Sequence, residues 1–213
     1  MYMPQAFEEK DPDLVFGLMS SLGVATVVSN GPDGMIASHV PVEIDRQGGA
    51  QGIILCHFAK PNPQPALIAE GREVLFIFQG PLAYVTPSWY ATKAETGKVV
   101  PTLNFAVVHA YGMGRTVEDP IAVLRHLTAL TDRFEADFPE PWKVSDAPDE
   151  FIDRLMKGIT VVEVALTRLE GKWKLSQNRP MADRQGVADG YRDGGRSDMQ
   201  ALMEEFALGG RQG

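Results

Sequence analysis

The chain has 213 residues, 44% apolar and 23% charged, the composition of an ordinary soluble globule long enough to bury its own core. Twenty basic against 28 acidic residues give a net charge of −8, which weighs against a broad nucleic-acid surface, because phosphate neutralisation supplies most non-specific affinity. The single Cys56 excludes an intramolecular disulfide and a cysteine zinc pattern, and no apolar run nears the roughly 20 residues that span a bilayer. The opening Met-Tyr-Met-Pro lacks the basic and apolar regions of a signal peptide, so a cytoplasmic location is expected.

Asp11 caps a first helix, with Pro12 at its first position, a stripe of Leu14, Val15, Leu18, Met19 and Leu22, and Gly23 as its stop. Val24 to Ser29 and Met35 to Ile44 read as a hairpin around Asn30-Gly31-Pro32-Asp33-Gly34. The next strand covers Gly52 to Cys56 and ends at His57, with Cys56 as a buried, inert thiol. His57-Phe58-Ala59-Lys60-Pro61-Asn62-Pro63-Gln64 then gathers an imidazole, a lysine, an amide and two prolines at a strand end. Two readings stand: recognition of an anionic ligand, or an ordinary Pro/Asn turn.

Pro63 to Glu70 predicts a short helix, and Glu73 to Phe78 a strand that Gly80-Pro81 turns towards Leu82 to Val85. Thr86-Pro87-Ser88-Trp89-Tyr90 sets two large aromatics beside a proline, before a polar loop from Thr92 to Lys98. A long strand from Val100 to Val117 follows, bent at Gly112 and Gly114. Alternation places Thr102 and Asn104 on one face and Leu103 and Phe105 on the other, so the polar pair lines a pocket or faces solvent from an edge strand.

Asp119-Pro120 opens a helix with Ile121, Leu124, Leu127, Thr131, Phe134 and Phe138 on one face, ended by Pro139 and Pro141. A shorter helix carries Phe151, Ile152, Leu155 and Met156. Ile159 to Leu166 is a strand that Leu169 to Trp173 extends. Ser197-Asp198-Met199-Gln200 has the form of a capping box opening an amphipathic helix, and Gly209 to Gly213 fray. Charge is uneven: eight acids against two bases between Asp132 and Asp153, then seven bases against four acids between Arg168 and Arg196.

About seven strands with local hairpin connections predict a mainly β, α+β chain built on an antiparallel barrel. The expected organisation is a single domain over 1–213, with helical additions at about 119–157 and 181–208. His39, His57 and His109 lie on separate strands with no paired spacing, so no metal site is expected; His109 reads as a hydrogen-bonded core residue, and His126 receives no role. G-x-S-x-G, Walker, H-E-x-x-H and Rossmann patterns are absent. Glu170 to Pro180 clusters lysines, amides and a hydroxyl, either as donors to an anion or as a surface loop.

Taken in order, several blocks resemble the PaiB-like FMN-binding split-barrel proteins, often labelled FMN-binding negative transcriptional regulators. They are Met1-Tyr2-Met3-Pro4 with Phe7, Ser38-His39-Val40-Pro41, His57 to Gln64, Gly80-Pro81 through Tyr90, Val100 to Asn104 with Val108-His109, and Gly171 to Asn178 with Asp183-Arg184. The resemblance implies a six-stranded Greek-key barrel and a homodimer with FMN in a groove between subunits. It places Ser38, His39 and Val40 beside the flavin, and His57, Ala59, Lys60 and Asn62 around its phosphate and ribityl chain. Thr102 and Asn104 would line the same groove. Lys174, Ser176, Gln177 and Asn178 resemble, more loosely, the late basic segment of pyridoxamine-phosphate oxidases. The chain departs from the group at Lys60-Pro61, where Arg-Ala is usual, and at Leu103 and Phe105, where larger or hydroxylated aromatics are common.

Three functions follow from the resemblance: an FMN-binding regulator, a flavin-dependent oxidoreductase (an NAD(P)H-linked reductase or an oxidase), or a cofactor-free dimeric interaction module. The acidic balance and the lack of a basic recognition helix weigh against direct DNA binding. No membrane partner is expected, and no catalytic residue stands out.

Overall fold

The protein is described from a computed structural model over residues 1–209, and the part of the expected C-terminal fraying at 210–213 lies outside the described residues. Its strands are β1 (Glu8–Glu9), β2 (Val24–Gly31), β3 (Gly34–Asp45), β4 (Ile53–Ala59), β5 (Val74–Val85), β6 (Thr102–Val117) and β7 (Ile159–Lys174). Its helices are α1 (Pro12–Leu22), α2 (Gln64–Ala69), α3 (Thr92–Thr96), α4 (Pro120–Glu135), α5 (Asp149–Met156), α6 (Met181–Asp193) and α7 (Ser197–Phe206). The sheet order is β1-β7-β4-β3-β2-β5-β6, and β6 also pairs with β7, so six strands follow one another in a ring. This is the antiparallel, mainly β barrel with added helices that the hairpin pattern predicts.

Contacts gather the chain into two compact units. The first takes Met1–Val15, Gln79–Val108 and the segment from Glu170 onward; the second takes Phe16–Phe78 and His109–Leu169.

In the second unit, alternation along three neighbouring strands buries Ala25 and Val27, Val40 and Val42, and Ile54, Cys56 and Phe58. Val42 pairs with Cys56 and Ile54 with Val164, so these side chains share one face and form the core. Burial pushes the Cys56 thiol up, away from thiolate chemistry. Gly112 lets β6 and β7 approach closely: a Cβ there would lie 2.5 Å from the Ala165 carbonyl oxygen. The glycine is needed for space, and β6 runs unbroken to Val117.

In the first unit, α6 and α7 bury Val187, Tyr191, Met199 and Met203, and Trp173 and Leu175 are buried near the end of β7. The Trp89 and Tyr191 rings meet edge to face at 5.2 Å.

Local signals fare well where the partner is close in sequence. Asp11 accepts from the Asp13 N–H at 2.9 Å, and Asp119 from the Ile121 N–H at 3.1 Å, as the caps require. Four expectations are corrected. Gly80-Pro81 does not turn the chain; instead the burial alternation of β5 shifts by one residue there, from Val74, Phe76 and Phe78 to Ala83 and Val85. The loop after Thr92 contains α3. Ser197 is the first residue of α7 and makes no cap; Arg196 instead grips Asp198 at 2.7 and 2.9 Å. The buried face of α4 is Val123, His126 and Leu130, while Ile121, Leu124, Phe134 and Phe138 are exposed.

Candidate functional site

The second unit carries the turn after β4. The Asn62 N–H donates to the Ala59 carbonyl at 2.8 Å, closing a turn with Lys60 and Pro61 at its centre. Asn62 braces it from both ends of its amide. Its Nδ2 donates to Ser38 Oγ on β3 at 3.0 Å, and its Oδ1 accepts from the Gln64 N–H at 2.9 Å. Gln64 is buried and donates to the Val27 and Ile36 carbonyls at 3.1 and 3.2 Å, which fixes the start of α2 against the β2–β3 hairpin.

This bonding decides what the turn offers a ligand. The Lys60 N–H is used by the Gly158 carbonyl at 2.8 Å, those of Asn62 and Gln64 are used within the turn, and Pro61 and Pro63 have none. An anion at this corner therefore meets side chains, not a backbone nest. Lys60 and His39 are exposed, and Ser38 and His57 are half-buried. The Lys60 ammonium is in no ion pair among the described residues. Ser38 keeps its own hydroxyl hydrogen while accepting from Asn62, and His39 holds Thr26 through Nδ1 at 2.9 Å, leaving Nε2 free. Val40 is buried in the core and Ala59 is exposed, so neither brings a polar group.

A cleft of about 570 Å³ opens beside Lys60, with Thr116, Thr160 and Lys157 as further polar lining and Val117, Val123, Met156 and Ile159 as apolar wall. Glu118 and Asp153 also line it. Its size is that of a small-molecule site.

His57 enters a chain of polar contacts that the sequence does not reveal. Its Nδ1 lies 3.2 Å from Nε2 of His126, whose Nδ1 lies 3.0 Å from Oε2 of Glu43. His126 lies on the buried face of α4, and Glu43 pairs with Leu55 on β4, on the face that alternation gives His57. Desolvation first, then the neighbouring His126, pushes the His57 pKa down. The available signal was the i, i+3, i+7 spacing of Val123, His126 and Leu130, in which an imidazole takes an apolar position.

The remaining expected residues lie in the first unit. Lys174 donates to Thr102 Oγ1 at 2.5 Å and to the Leu103 carbonyl. Its pKa is pushed down by burial first, then by Lys172 and Arg179. Asn104 is fully buried, accepts from Ser176 Oγ at 3.1 Å and donates to the Met203 sulfur at 3.5 Å. Ser176 has a left-handed φ of 64°, a costly conformation for a serine. Gln177 closes on its own turn, accepting from the Leu175 N–H at 2.7 Å and donating to the Trp173 carbonyl at 2.6 Å; Asn178 is exposed. Asn104, Ser176 and Gln177 thus spend their polar groups inside the protein.

Asp183-Arg184 is structural as well. Buried Asp183 accepts from the Thr92 N–H and hydroxyl at 2.9 and 2.8 Å, and Arg184 donates to the Arg179 and Ala207 carbonyls. The Tyr90 hydroxyl is buried, with the Arg179 guanidinium 4.6 Å from its ring. His109 is half-buried and contacts Tyr111. Among the described residues, no group of three or more His, Cys, Asp or Glu is arranged to hold a metal, and no helix is long and apolar enough to cross a membrane.

The donor set that the second unit ties together is the Lys60 ammonium and the Ser38 hydroxyl, linked through the Asn62 turn, while the His39 and His57 imidazoles lie on the face of the sheet opposite Ser38. It fits a phosphate monoester such as that of FMN.

Comparison with known proteins agrees with that chemistry. The family described as "Putative FMN-binding domain" matches residues 1–168. An Aspergillus fumigatus protein is 34% identical over 216 residues, covering 80% of this chain and 82% of its own. The Protease synthase and sporulation protein PAI 2 of Bacillus subtilis is 29% identical over 190 residues, covering 89% of this chain and 88% of its own. Among solved structures, the FAD and heme binding protein from Mycobacterium smegmatis superposes with a TM-score of 0.58 at 15% identity, covering 78% of this chain and 73% of that one, a likeness of fold. The chain belongs to the FMN-binding domain family, as a PaiB-like split-barrel protein.

Proposed function

We propose that this protein binds FMN as a homodimer and acts as a flavin-responsive regulator in the manner the PaiB-like label implies. The observation that carries the flavin reading is the corner at β3 and the 59–62 turn. There Lys60 and His39 are exposed and Ser38 and His57 half-buried, with Ser38 on the opposite face of the sheet from the two imidazoles, while Asn62 holds the turn rigid. Lys60 and Ser38 meet the phosphate, and His57 and His39 meet the phosphate or ribityl oxygens. Thr102 and Lys174 form a separate polar row, already bonded to each other. A bound flavin supplies electron transfer at its ring, and the protein supplies binding and orientation. With a net charge of −8, regulation through a partner protein or a small molecule is favoured over direct operator contact.

The visible spectrum of the purified, flavin-loaded protein tests the reading. A bound-flavin band that survives desalting is expected. A protein that stays colourless after incubation with excess FMN would overturn it. Light scattering on the same sample reads the expected dimer.

A further inference from the structure

The Glu43–His126–His57 chain has a consequence that holds whichever ring carries the charge. A carboxylate oxygen only accepts, so His126 Nδ1 bears a hydrogen towards Glu43 at 3.0 Å. The 3.2 Å contact between His126 Nε2 and His57 Nδ1 then holds one hydrogen. When both rings are neutral, His126 Nε2 is the acceptor and His57 Nδ1 the donor, which leaves His57 Nε2 as a bare lone pair. Adding one proton to the pair reverses this at the far end: His57 Nε2 becomes an N–H donor, with the charge on either ring. That nitrogen has no partner among the described residues and is not among the buried unsatisfied atoms, so it faces solvent.

An oxyanion such as a phosphate only accepts, and so needs the donor form. We infer that His57 Nε2 is a proton-coupled subsite for an oxyanion ligand, with Glu43 and His126 as positioning residues that make binding take up one proton. This rests on the flavin reading above for the identity of the oxyanion, the FMN phosphate. Uptake occurs at pH values where the free pair is neutral and the ligand-bound pair holds the added proton. Within that window, affinity falls about tenfold for each pH unit of increase.

Other titratable or charged groups on the surrounding elements are His39 and Asp45 on β3, Arg125, Asp132, Arg133 and Glu135 on α4, Lys60 beyond β4, and Glu163 on β7, which Arg115 holds at 2.7 Å. They and the second phosphate ionisation near pH 6 are common to the wild type and to a variant at Glu43, so the difference between the two profiles isolates the chain.

Glu43→Gln is that variant. Its amide can donate to His126 Nδ1, which places the single hydrogen on His126 Nε2 and makes His57 Nε2 a donor with no added proton. FMN titration from pH 5.5 to 8.5, read by flavin fluorescence, is expected to give a pH-dependent Kd in the wild type and a flattened profile in Glu43→Gln. Parallel profiles would overturn the inference while leaving FMN binding intact. Absence of FMN binding at every pH would overturn the flavin reading instead. The same series with inorganic phosphate, followed by the His57 Cε1–H resonance, then decides the subsite. A phosphate-induced rise of the His57 midpoint in the wild type alone supports it, and no rise refutes it.

Discussion

Replacing Lys60 with alanine is expected to weaken FMN binding by one to two orders of magnitude while leaving the melting temperature unchanged. The ammonium is exposed and in no ion pair among the described residues, so its loss removes no contact that holds the fold. An anionic ligand would give it a partner. A hydrogen bond to a charged group is worth about 1.5–3 kcal/mol, which corresponds to about one to two decades in Kd. Two features of the turn concentrate that energy on one side chain: Pro61 has no N–H, and those of Lys60, Asn62 and Gln64 are already bonded. Lys157→Ala is the control, since this residue lines the same cleft but lies outside the turn. Fluorescence titration of both variants should show a large loss for Lys60 and less than a threefold loss for Lys157. Equal losses would mean that general positive charge, rather than this corner, attracts the phosphate.

The second large effect concerns stability, and its sign opposes a propensity argument. Gly186 lies within α6, where alanine would ordinarily stabilise a helix by about 1 kcal/mol. A Cβ at that position would lie 2.0 Å from the Trp89 carbonyl oxygen. The obstacle is backbone, in the short 3-10 turn Pro87–Trp89 next to buried Tyr90, so it cannot swing aside as a side-chain end would. Overpacking of this kind costs about 1–3 kcal/mol beyond what propensity returns. Gly186→Ala is therefore expected to lower the melting temperature by several degrees, at about 2–4 °C per kcal/mol for a chain of this length. Thermal unfolding followed by circular dichroism reads it, and a higher melting temperature would show that α6 does not press on this turn.

What the sequence discloses depends on how far apart the interacting residues are. The caps at Asp11 and Asp119 and the β2–β3 hairpin are legible because each partner lies within a few residues or across a short turn. The Asn62 bracket is half legible: its contact with Gln64 is local, while its reach to Ser38 crosses 24 residues. His126 is hidden because its partners are 69 and 83 residues away and its helix shows a second, more apolar face. That face, with Ile121, Leu124, Phe134 and Phe138, lies exposed, so choosing the most apolar stripe selected the wrong side of α4. Gly80-Pro81 misleads for a different reason. Both residues favour turns, yet here they accompany a one-residue shift in alternation within a continuous strand.

The polar residues of the late segment also hold the fold. Asn104, Ser176 and Gln177, expected at a ligand, are each hydrogen-bonded to a buried or local polar group. Asp183 does the same for the start of α3. The turn after β4 keeps the Lys60 ammonium exposed and in no ion pair among the described residues, which is why the flavin phosphate is proposed there.

That assignment is tested most directly by titrating the purified, flavin-free protein with FMN and, in parallel, with riboflavin, which has the same ring and ribityl chain without the phosphate. Binding through the Lys60 corner predicts saturable binding of FMN, with riboflavin weaker by at least tenfold. Riboflavin binding as tightly as FMN would contradict it.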